Sequence, residues 1–62
     1  MNEYEYLSSR IQELIDSRRL AVSAGQCADM EEYRRVTGEI RGLALALDLI
    51  KDRERQQEEN ND

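Results

Sequence analysis

The chain reads as all-α, an antiparallel two-helix hairpin with helices at about 3–24 and 30–53, and three observations predict it. Tyr4 and Ile50, Leu7 and Leu47, Ile11 and Leu43, Leu14 and Ile40, Arg18 and Val36, and Ala21 and Tyr33 share one residue-number total, as positions paired across a fold centred on Cys27 do. Within each series the steps are three and four residues, which keeps the side chains on one helical stripe. No proline interrupts either series, and only Gly25 to Ala28 separate the two helices, a connection short enough to force neighbours antiparallel.

Each element carries its own boundary signals. Asn2 followed by Glu5 has the form of a capping box, in which the Asn side chain accepts an orphan amide and the Glu reaches back. Gly25 suits a left-handed cap at the end of the first helix. Asp29 with Glu32 repeats the capping signal, and Glu31 and Glu32 in the first turn of the second helix suit its positive dipole end. The expected hairpin core is Tyr4, Leu7, Ile11, Leu14, Val36, Ile40, Leu43, Leu47 and Ile50. Residues 1–53 form the hairpin domain in this reading. Residues 54–62 contain no apolar side chain, so nothing rewards their ordering, and an acidic disordered tail is expected.

The second helix has more apolar surface than one stripe requires. Leu43 to Ile50 is apolar almost all round, and such a helix is buried on more than one side. At about 100° per residue, Leu45 and Leu49 point away from the core stripe, in line with Gly38 and Gly42. Glycine inside a helix costs roughly 0.5–1 kcal/mol relative to alanine, so two of them ask for a reason. Gly38, Gly42 and Ala46 permit close approach of another backbone, and with Leu45 and Leu49 they form the expected partner interface. The competing reading is that the glycines make room for Tyr or Arg side chains of the first helix. Arg18, the one charge in the paired series, reads either as a snorkelling arginine whose head meets Glu32 or Glu39, or as a register or partner determinant. Tyr4, Tyr6 and Tyr33 read as amphipathic packing residues at the edge of the core.

Size and charge bound the function. A chain of 62 residues makes one small domain, and at this length a single core seldom supplies more than roughly 3–5 kcal/mol. Assembly into a helical bundle, with itself as a dimer or higher oligomer or with a larger protein, is therefore expected. One cysteine cannot form an internal disulfide, and without histidine there is no ordinary zinc ligand set. No apolar run of signal-peptide or membrane-spanning form is present, so the expected location is cytoplasm, with no membrane partner. A net charge of −5 argues against general attraction to phosphate backbones. Arg18, Arg19, Arg34 and Arg35 nevertheless fall near the hairpin tip, while acidic residues gather at the open end, giving a dipolar rod that could steer a partner.

No catalytic constellation is found. There is no histidine, Cys27 falls in a short turn, Ser8 and Ser9 have no evident base, and phosphate-cradling and calcium loops are absent. A two-helix rod is also expected to lack a ligand pocket of about 300 Å³ or more. The expectation is a non-enzyme with no catalytic, cofactor-binding or metal site and no small-molecule substrate.

The segment from Asp29 to Asp52, with Glu32-Tyr33, then Gly38-Glu39-Ile40-Arg41-Gly42-Leu43, then an alternating apolar stretch closed by an acidic residue, resembles a short module of small, mostly uncharacterised tailed-phage helical-hairpin proteins. The resemblance implies a virus-encoded hairpin with a structural or assembly role, located in host cytoplasm or virion. It carries over no activity or binding residue. A purely architectural likeness to the ROP type of RNA-binding hairpin has no sequence match behind it, and shared architecture does not imply shared function. The leading expectation is a phage structural or accessory protein acting by helix-mediated contact with itself or with a larger viral or host protein. The alternative is a small regulator that binds nucleic acid, or a nucleic-acid enzyme, through the arginine-rich tip. A third reading is a host-directed inhibitor whose acidic tail mimics nucleic acid.

Overall fold

A computed structural model describes residues 1–60 and shows an all-helical hairpin: α1, Glu3–Ser23, and α2, Met30–Asn60. The helices pack antiparallel into a rod of 51 × 18 × 12 Å.

Local chemistry sets three of the four helix ends. Asn2 caps α1, its Oδ1 accepting from the Glu5 amide at 2.8 Å, while its side-chain amide donates to Glu5 Oε1 at 3.4 Å. At the other end Gly25 has φ +74°, and the Gly25 and Gln26 amides donate to the Val22 and Ala21 carbonyls. Those two bonds are the Schellman closure that a left-handed glycine permits. Asp29 Oδ1 accepts from the Glu32 amide at 2.9 Å, and Glu32 Oε2 accepts from the Ala28 amide at 3.1 Å, so the second cap closes one residue further back than a simple capping box.

The core differs from the sequence expectation in rotation. Ile15, at 2% exposure, is the most buried residue of the pair, and Val36 and Leu47 accompany it; Ile15 was not among the expected core positions. Tyr4, Ile11, Ile40, Leu43 and Ile50 are half-buried. Leu7 and Leu14, expected inside, are 40% and 37% exposed. The inward stripe of α1 is therefore Tyr4, Ser8, Ile11, Ile15, Arg18 and Val22, turned about 50° from the Leu7–Leu14 stripe. Two adjacent stripes were available because Leu14 and Ile15 are both apolar, and the chosen one tolerates Ser8.

Arg18 meets Glu39, one of the two glutamates expected for its head, and Tyr4 lines the same cleft as Glu54 and Gln57.

Residues 54–60 are helical, which corrects the expectation that order ends near Arg53. Glu54 and Gln57 continue the inward series of α2 and are half-buried beside the start of α1. Their methylene stems supply cover that a count of apolar residues overlooks, and Glu, Arg and Gln are good helix formers. Residues 61 and 62 of the expected tail lie outside the described residues.

Candidate functional site

Two parts of the rod were candidates for function, the back of α2 and the tip. On the back of α2, Leu45 and Leu49 are 61% and 70% exposed. A Cβ built on Gly38 or Gly42 would meet nothing within 4 Å. The glycines therefore do not make room for side chains of α1, and the reading in which they do is corrected. Ala46 is half-buried, between this ridge and the hairpin seam. The two glycines form hollows flanked by protruding leucines.

The tip is organised around Glu39. Arg18 Nε donates to Glu39 Oε2 at 2.8 Å across the hairpin, and Arg35 donates to Glu39 Oε1 at 2.7 Å from the preceding turn of α2. Arg35 also lies 3.8 Å from Glu32. Hydrogen bonding from Arg18, aided by the charge of Arg35, holds the Glu39 carboxyl below its usual range against the opposing effect of partial burial. Arg18 thereby follows the snorkelling reading: its stem lies half-buried along the seam and its head meets a glutamate. Arg19 and Arg34 form no ion pair among the described residues, but they sit about 100° round their helices from Arg18 and Arg35. The four arginines do not converge into one basic patch. Asp29, Glu31, Glu32 and Glu39 are interleaved with them, so the expected dipolar rod is weaker than the arginine count implies.

The open end holds a cleft of about 350 Å³ lined by Asn2, Glu3, Tyr4, Glu54, Gln57 and Glu58. It exceeds the volume expected of a bare hairpin because α2 runs on past Arg53. Its three carboxylates bring no arrangement of nucleophile and base. Among the described residues no group of three or more His, Cys, Asp or Glu side chains could hold a metal ion, and no helix is long and apolar enough to cross a membrane. Cys27 is a half-buried free thiol in the connection.

Leu7 and Leu14 are accessible apolar residues that sequence reasoning assigned to the interior. The signal that could have found them is Ile15, since only one of two adjacent apolar residues can centre the stripe. No protein-family model, curated protein or solved structure matches the chain.

Proposed function

We propose that this chain is a non-enzymatic helical interaction module of the tailed-phage structural or accessory kind, acting in host cytoplasm or virion through protein–protein contact. The observation that carries the reading is the exposed ridge of α2: open space over Gly38 and Gly42 beside Leu45 and Leu49. Helical glycines with no neighbour in the hairpin cost stability and return none to it. Close approach of a further helix would offset that cost. The phage assignment rests on the likeness of the Asp29–Asp52 segment.

Nucleic-acid binding at the tip is the weaker alternative, because Arg18 and Arg35 are already engaged by Glu39. Binding of RNA or DNA with a steep salt slope, abolished by Arg19→Ala and Arg34→Ala, would promote it. The leading reading is tested by sedimentation of the chain and of a Leu45→Glu, Leu49→Glu variant. Association weakened by the paired substitution supports contact through the ridge. A helical monomer at micromolar concentration, unchanged by it, removes the basis of the reading.

A further inference from the structure

Leu45 centres the back of α2, on the side of the helix away from the buried Val36 and Leu47. At about 100° per residue, the strip within about 60° of Leu45 has two dissimilar flanks. One flank carries charge, and its sign changes once along the helix: Arg34 and Arg41 precede Leu45, whereas Asp48, Asp52 and Glu59 follow it. All five are exposed, and Arg34, Arg41, Asp48 and Glu59 form no ion pair among the described residues. The other flank carries shape. Gly38 and Gly42 precede Leu45, with open space where a Cβ would stand, and Leu49 follows it, 70% exposed. Glu31 lies further back on that flank, and Arg35, Arg53 and Arg55 stand at the rims, Arg35 held by Glu39 and Arg55 by Asp52.

We propose that two copies of the chain pair antiparallel through this strip, about a two-fold axis at Leu45, with Arg41 of each copy against the partner's Asp48. The proposal rests on the interaction-module reading and names the partner as a second copy. Charge selects that occupant. A two-fold axis across antiparallel helices lays each flank on the same flank of the other copy with its direction reversed, so basic residues meet acidic ones. Arg41 stands four residues before Leu45 and Asp48 three after it, which leaves the two about 1.5 Å apart in height. Arg34 falls between the partner's Asp52 and Glu59, within about 6 Å of each in height. The same axis matches the other flank: Leu49 comes down between the partner's Gly42 and Gly38, about 1.5 and 4.5 Å from them in height. Parallel pairing would instead set Arg41 against Arg41 and Asp48 against Asp48. Because α1 covers the far side of α2, it does not obstruct the approach.

Sedimentation equilibrium of the full chain, of Arg41→Asp, of Asp48→Arg, and of the two variants mixed in equal amounts tests the pairing. Each variant alone sets like charges together twice, whereas a mixed dimer restores both opposite pairs. The expected result is a dimer whose dissociation constant rises at least about tenfold in each single variant and returns to within about threefold in the mixture. Circular dichroism checks that both variants stay helical. Should either unfold, a nitroxide on Cys27, the one thiol in the chain, gives a second readout without any substitution. Antiparallel pairing about Leu45 holds the two spins about 50 Å apart, whereas parallel pairing holds them within about 30 Å. Single variants that associate as tightly as the unaltered chain, a helical mixture that fails to recover, or the short spin separation each overturn the proposal and leave the interaction-module reading standing. A monomer at high concentration also overturns the pairing, and that reading falls with it when Leu45→Glu with Leu49→Glu changes nothing either.

Discussion

Glu39 receives Arg18 from the facing helix and Arg35 from its own, so its ionised form is favoured in the folded chain. A carboxyl with a lowered folded-state pKa contributes stability above the unfolded-state value, and that contribution is lost as pH falls through the folded-state value. The sign is therefore acid sensitivity. Thermal unfolding followed against pH should show stability declining below the ordinary glutamate range, and Glu39→Gln should flatten that decline. Gly25 is a second single-residue determinant: its φ of +74° penalises any side chain, with open space around it offering no compensation. Gly25→Ala should cost about 1–2 kcal/mol in urea unfolding. Ile15 is the third. Truncating it to alanine should cost about 2–5 kcal/mol, comparable to the whole stability expected at this size, so an Ile15→Ala chain should be largely unfolded by circular dichroism.

At the scale of elements, α2 outruns its expected end. Its last two turns hold Glu54 and Gln57 against the start of α1, and Arg55 meets Asp52 at 2.8 Å. Deleting residues 54–62 should therefore lower helicity by more than the deleted residues themselves, since Tyr4 loses its cover and α1 frays from its N-terminus; a loss confined to the deleted residues would contradict this account. The capping residues Asn2, Asp29 and Gly25 were legible because each signal is local, a donor and an acceptor a few residues apart. The stripe was less so. Choosing between Leu14 and Ile15 depends on which of two adjacent apolar residues packs against α2, a relation between residues far apart in the chain. The end of α2 was illegible to apolar counting because polar stems do the covering there.

Across the whole molecule, the fold class could be read from periodicity, whereas the accessible apolar face could be read only in part. Leu45 and Leu49 announced themselves as surplus leucines on a helix already supplied with a stripe. Leu7 and Leu14 were masked because they mimic a core. Together these residues leave a rod with a thin interior and several exposed leucines, and under the proposed reading association would complete its core. Association of that kind would couple folding to assembly and make apparent stability depend on concentration. The most direct measurement is circular dichroism and sedimentation of the unaltered chain over a roughly hundredfold dilution from the micromolar range. The account predicts dimers that lose helix content and melting temperature as they dissociate. A chain that stays fully helical, monomeric and equally heat-stable throughout the dilution would contradict it.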